Sequence, residues 1–267
     1  MTGEPIESQR HNLLTTVSLA IVACAAADVV HEIVGHGLAS WLVGDPVLLI
    51  STIALQNAEP NRLVAACGTL ANVIVGALSF LSLRRFLRFT PSAYFLWLFG
   101  VFNLFNFGYL IASALLLNGD WAVVISGLDP PLIWRVALGG MGVAVYALAM
   151  RWAATTMGSF VERGEVALRD LRALTVSAYV TGGLLMTAAS AFNPISSSLI
   201  LISGVGASFG LNLGLLFLPG MIAAHGRTGE PNGRHIQLNP VWLGLALVTA
   251  IAFVWILGRG IRLGPAP

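Results

Sequence analysis

Apolar residues run along this chain in seven long blocks, separated by short polar stretches rich in Gly, Pro and Asn. A bilayer core takes about 20 apolar residues per helix. On that length the pattern predicts spans at roughly 13–39, 62–83, 92–117, 131–152, 171–190, 197–219 and 241–258. The blocks tile nearly the whole chain. They predict a single all-α polytopic integral-membrane domain over 1–267, with a motif-bearing core at about 13–125 and additional helices at about 131–258.

Two connections depart from the helical pattern. "GDPVLLISTIALQNAEP" (44–60) is too punctuated for a span, and its β-branched centre favours a membrane-associated strand or hairpin. "NGDWAVVISGLDP" (118–130) is a short apolar patch bounded by turn residues and reads as a re-entrant or interfacial piece. Residues 153–170 and 220–240 read as polar loops.

Composition agrees with the block pattern. The chain is 57% hydrophobic and 10% charged, with a mean hydropathy of +0.83, outside the range of a soluble globular domain. A net charge of +2 without a basic, aromatic-interleaved stripe argues against a nucleic-acid partner. The expected partner at this level is the lipid bilayer. The two cysteines, Cys24 and Cys67, lie in apolar runs, which argues against a disulfide framework or a Cys-based zinc site. "IVAC" (21–24) resembles a signal cleavage site, but the apolar run continues to Trp41 and Arg10 is the only basic residue ahead of it, so an uncleaved first span is expected.

All fourteen basic residues are Arg. With seven spans, ten of them share the N-terminal side and only Arg62, Arg135, Arg259 and Arg262 fall on the other. The positive-inside rule then expects a cytoplasmic N-terminus in a bacterial inner or plasma membrane.

Polar residues inside the blocks are not scattered. Asp28, His31, Glu32 and His36 lie late in span one, "CGTLAN" (67–72) early in span two, and "NGDW" (118–121) at the end of span three. Successive spans alternate direction, so all three stretches fall at one pole. A charged group at the centre of a membrane helix costs about 2.5–3.5 kcal/mol on insertion scales, so such groups are usually paired or ligating. Two histidines and one carboxylate form a common zinc shell that leaves one position for water, and Glu32 is then placed to act as the base.

Spacing bears on this reading. On a regular helix residues five apart differ by about 140°, so His31 and His36 would face different ways. A π-bulge absorbs the extra residue, and Gly35 can take the backbone angles of such a distortion. If the helix is regular instead, Asp28, Glu32 and His36 form an i, i+4, i+8 stripe suited to a proton- or cation-coupled transporter. Five acids compete as third ligand: Asp28, Asp45, Glu59, Asp120 and Asp129. Asp120 leads because it ends a span behind Gly119. His11, His225 and His235 fall at the opposite pole and are set aside, as are Asn103 and Asn106 of "FNLFNF". "SGVGASFG" (203–210) reads as close helix packing.

The order His31-Glu32-x-x-Gly35-His36, a short extended segment, "AACGTLANVIVGALSFL" and a later Asp resembles the site-2-protease family of intramembrane zinc metalloproteases. That family carries H-E-x-x-H on one helix, a hairpin, a G-P-x-x-N element opening the next helix and an L-D-G aspartate. The resemblance covers about residues 25–125. Gly68 and Asn72 match the Gly and Asn; Thr69 replaces the Pro, and Gly119-Asp120 inverts the D-G order. The late histidine is similar to the H-E-x-x-G-H motif of the dipeptidyl peptidase III type.

The resemblance implies a membrane-embedded zinc metallopeptidase that hydrolyses peptide bonds of membrane or membrane-proximal substrates. His31, His36 and Asp120 are then the zinc ligands, Glu32 activates the zinc-bound water, and Asn72 positions substrate, although an interhelical hydrogen bond is an equal reading of Asn72. The family holds its zinc toward the cytosol, whereas the arginine count places this pole outside. An inactive metal-binding relative would carry the same residues.

Overall fold

The computed structural model describes residues 11–224 and 235–264. Within them the chain is an all-helical multi-pass membrane protein with seven spans: Leu13–Val43, Arg62–Leu83, Pro91–Leu116, Pro131–Glu162, Leu168–Ser190, Ser197–Ala224 and Pro240–Leu257. The span starts are locally encoded. Asn12, Asn61, Thr90 and Asn239 cap spans one, two, three and seven by accepting backbone N–H groups of the first turn. Pro91, Pro131 and Pro240 stand at helix positions where no N–H is needed.

Span four continues to Glu162, where the polar composition after residue 152 predicts a loop. Its extra turns are held by burial, because Ala153, Met157, Phe160 and Val161 all pack into the core. Span six is helical to Ala224, past the expected start of the 220–240 loop, and 225–234, with His225, lie outside the described residues.

Span three is the central post. It packs against spans one, two and four, with Tyr94 and Trp97 fully buried. Their polar tips are satisfied by main-chain carbonyls: Tyr94 Oη donates to Leu174 O at 2.8 Å and Trp97 Nε1 to Ala153 O at 3.1 Å. The span breaks at Asn106–Phe107 and resumes at Gly108.

The extended segment forms the expected hairpin. β1 (Val47–Ile50) pairs antiparallel with β2 (Leu55–Asn57), with an irregularity between Val47 and Leu49. A strand that the alternation does not predict, β3 (Ile261–Arg262), adds to the other side of β1, giving the order β2-β1-β3. It follows span seven, so its pairing places the end of that span at the pole of the hairpin, as seven crossings require. The segment after span three contains the short helix Asp120–Ile125 at the same pole.

Candidate metal centre

The first span does not stay α-helical through the motif. Val30–Gly37 is a π-helix, with α-helix before and after it. Its i→i+5 hydrogen bonding brings residues five apart onto one face, the alignment that an H-E-x-x-G-H spacing needs. His31 and His36 accordingly meet, with ring centroids 4.7 Å apart at 87°. Gly35 is not at positive φ, so its contribution differs from the backbone freedom expected of it. A Cβ there would lie 2.5 Å from Gly68 Cα and 2.6 Å from Cys67 O. Glycine at 35 therefore lets span two press against the π-turn.

Three ligand-type atoms converge in front of that crossing. His31 Nε2 and His36 Nε2 are 3.2 Å apart, and Asp120 Oδ2 lies 3.1 Å from the first and 3.4 Å from the second. An ion holding its ligands at about 2.0–2.1 Å with tetrahedral angles spaces them about 3.3 Å apart, so the triangle has the size of one face of such a shell. Among the described residues Asp120 is the acid in contact with both imidazoles, which separates it from Asp28, Asp45, Glu59 and Asp129. Burial pushes the Asp120 carboxyl up; when the His31 and His36 rings are protonated, their Nε2–H hydrogen bonds and charge outweigh burial and hold it below the usual carboxylate range.

The far side of each ring fixes which nitrogen faces the centre. His36 Nδ1 lies 2.7 Å from Val64 O, a pure acceptor, so Nδ1 carries the proton and donates it. His31 Nδ1 lies 2.7 Å from Asn72 Oδ1. The amide of Asn72 is oriented by its own donations from Nδ2 to Ala27 O at 3.0 Å and to Asn103 Oδ1 at 2.7 Å. Asn103 is oriented in turn by donating to Phe99 O at 2.7 Å. The chain of donors runs one way, so His31 also donates from Nδ1. In the neutral state both Nε2 atoms thus turn lone pairs toward the Asp120 carboxylate, and a proton or a metal cation has to sit among them.

For Asn72 the resemblance implies a place beside a substrate, and an interhelical hydrogen bond is the equal reading; the structure has the interhelical bonds, to His31 and Ala27 O of span one and Asn103 of span three. Asn72 is fully buried behind His31, with its bonds committed as above, and it is not part of the cavity wall. Asn103, to which sequence reasoning gives no role, is the residue that completes this support. Its signal was a polar side chain one turn before a break in an aromatic span. Tyr109, also missed, stacks on His31 with centroids 5.4 Å apart at 24°.

Thr69, where the resemblance has Pro, bonds to Trp121, which follows Asp120 where the resemblance has Gly. Trp121 Nε1 donates to Thr69 Oγ1 at 3.0 Å, and Thr69 is fully buried in span two. This bond docks the short helix and its first residue, Asp120, onto span two. Gly119 precedes it at φ +85, a backbone conformation open to glycine.

Glu32 is buried, and its Oε2 has no hydrogen-bond partner. Ligand atoms of Glu32, His31 and His36 lie within 4.8 Å of one another. The group opens into a cavity of about 630 Å³ whose walls include β2, Glu59, Tyr109, and Ile202 and Ser203 of span six. The hairpin is tied to span one through Ser40, which donates to His36 O at 2.8 Å and accepts from Asn57 Nδ2 at 2.8 Å.

The histidines of the opposite pole behave differently. His11 Nδ1 accepts the Ile236 N–H at 3.0 Å, so in the neutral ring Nε2 carries the proton. That atom lies 3.7 Å from Asp170 Oδ2, and His235 Nε2 lies 3.6 Å from the same oxygen. His11 therefore presents a donor to Asp170, where the first-span rings present acceptors.

Comparison of the chain with protein-family models, with curated proteins and with solved structures returns no significant match.

Proposed function

We propose that the protein is a membrane-embedded zinc metallopeptidase of site-2-protease type, with His31, His36 and Asp120 as ligands and Glu32 as the base. The observation that carries this reading is the convergence of two Nε2 lone pairs and a carboxylate oxygen at 3.1–3.4 Å, beside a buried carboxylate oxygen that nothing else satisfies. Two imidazoles and one carboxylate are a donor set suited to a hydrolytic zinc ion. When bound, zinc supplies Lewis acidity to a water and to the scissile carbonyl.

The chain's own residues supply the rest. Glu32 Oε2, free of other hydrogen bonds, takes the proton from the attacking water and is placed to return it to the leaving amine. Asn72 and Val64 O hold the two rings in the ligating tautomer. β2 forms one edge of the three-stranded sheet and lines the cavity, so an extended peptide can pair with it and lie across the centre. The same arrangement favours hydrolysis over an ion relay. A relay along Asp28, Glu32 and His36 rests on a regular i, i+4, i+8 stripe, and the π-helix over Val30–Gly37 interrupts it.

The test is metal analysis of detergent-purified protein, together with cleavage of a quenched-fluorescent peptide library in proteoliposomes. One zinc per chain with cleavage abolished in Glu32→Gln is expected. Absence of tightly bound zinc in protein purified without chelator, and no uptake on adding zinc, would overturn the reading. Zinc without any Glu32-dependent cleavage would leave an inactive metal-binding relative.

A further inference from the structure

A second cleft, of about 300 Å³, opens at the opposite pole between the ends of spans two and four. Phe80 and Phe160, both fully buried, lie under its floor, Trp152, Phe86 and Leu87 give its exposed apolar wall, and its rim carries Arg84 and Arg163; among the described residues no Asp or Glu lines it. Phe80 and Trp152 meet edge to face at 5.3 Å, which closes the floor. The Arg163 guanidinium lies over the Phe160 ring at 4.7 Å, so it is held at the rim and does not trail into solvent.

Two features narrow the ligand. The hydroxyls of the cleft are spent on their own helix, with Thr156 donating to Trp152 O and Ser159 to Thr156 O, so the guanidiniums supply the donors. Both arginines stand at helix C-termini, Arg84 after Leu83 and Arg163 after Glu162. The carbonyl ends there repel an anion, so both guanidiniums are needed to attract one. A planar, five-donor guanidinium suits phosphate oxygens. An aromatic wall below a cationic rim, at the end of two membrane spans, suits a molecule that is anionic at one end and apolar at the other. This pole also carries the chain's arginine excess, and the positive-inside rule turns that side toward the leaflet rich in anionic lipid.

We propose that the cleft between the ends of spans two and four binds the phosphate headgroup of an anionic phospholipid through Arg84 and Arg163, with the upper acyl chain against Trp152, Phe86 and Leu87. It is independent of the metal centre at the other pole. The test is native mass spectrometry of the full-length protein in detergent, titrated with dioleoylphosphatidylglycerol or dioleoylphosphatidylcholine. The native chain retains the anionic lipid by about ten-fold or more over the zwitterionic one, as two charge contacts near a membrane surface imply. Arg84→Gln/Arg163→Gln abolishes that preference, while Arg85→Gln/Arg88→Gln, at the same pole but outside the cleft, keeps it. Should the first double variant fail to fold, Arg84→Gln and Arg163→Gln made singly each lower the preference. A preference that survives removal of both cleft arginines, or that falls equally in the Arg85/Arg88 variant, overturns the proposal. Displacement of the lipid by millimolar inorganic phosphate would assign the cleft to free phosphate and overturn the lipid assignment.

Discussion

Gly35 of the π-turn and Gly68 of span two face each other so closely that neither tolerates a side chain, and the two would fail in different ways. A Cβ on Gly35 meets main-chain atoms of span two, at 2.5 Å from Gly68 Cα, whereas a Cβ on Gly68 meets the imidazole rings, with His36 Nε2 nearest and His31 Cε1 at 2.8 Å. Backbone cannot give way without opening the helix crossing, but a ring can rotate. Gly35→Ala is therefore expected to lower thermal stability by an amount typical of core overpacking, about 1–3 kcal/mol. Gly68→Ala displaces the rings from their bonds to Asn72 and Val64 O and is expected to lower metal retention in larger proportion than the unfolding temperature. Differential scanning fluorimetry in detergent, read beside metal content, separates the two.

Glu32 and Asp120 are both carboxylates at the centre, and only Asp120 touches both rings. Glu32→Gln is expected to keep bound metal and to lose about 10²–10⁴-fold in peptide cleavage, the usual contribution of a general base. Asp120→Asn is expected to lose the metal itself. A Glu32→Gln variant that loses metal as readily as Asp120→Asn would make Glu32 a ligand.

The support behind His31 predicts graded effects. Asn72 touches the ring directly at 2.7 Å, whereas Asn103 acts one bond further back and Asn72 keeps its hold on Ala27 O without it. Asn72→Leu should weaken metal binding by about 10–100-fold, the range for an outer-sphere partner of a ligating histidine. Asn103→Leu should weaken it less. Competition with a zinc-sensitive dye gives both values, and equal losses would show that the amides act as packing and not as a directed chain.

Much of this arrangement was legible in the sequence. Seven spans follow from apolar length, the hairpin from β-branched residues between turn signals, and the π-turn from a histidine one residue late behind Gly35. The convergence of His31, His36 and Asp120 follows from alternation of span direction, because opposite helix ends share a pole. What escaped the sequence were facts of tertiary contact. Thr69 and Trp121 look like departures from a motif until their side chains are seen bonded across two elements. Asn103 looks like lining until Asn72 is seen to need an acceptor. β3 has two residues, too few for any alternation to show, and forms because span seven ends beside β1.

His11 gives a pH dependence separate from the candidate metal centre. Burial pushes its imidazole down to about 4, partly opposed by Asp170, with His235 adding to the fall. In the unfolded chain the same ring titrates near 6.5. Between about 4 and 6.5 the unfolded state therefore binds more protons, and stability rises with pH across that window. The contribution of His11 is full above the unfolded value, is lost as pH falls from about 6.5 toward 4, and changes no further below that. The neutral ring accepts the Ile236 N–H and joins the start of span one to the residues before span seven, so the weakening should appear first at that seam. Unfolding temperatures measured at pH 7 and pH 5 should differ more for the native chain than for His11→Gln. Protection of the Ile236 amide from hydrogen exchange, taken relative to its intrinsic rate at each pH, should fall on acidification. An equal acid response in both proteins would assign the sensitivity to other groups.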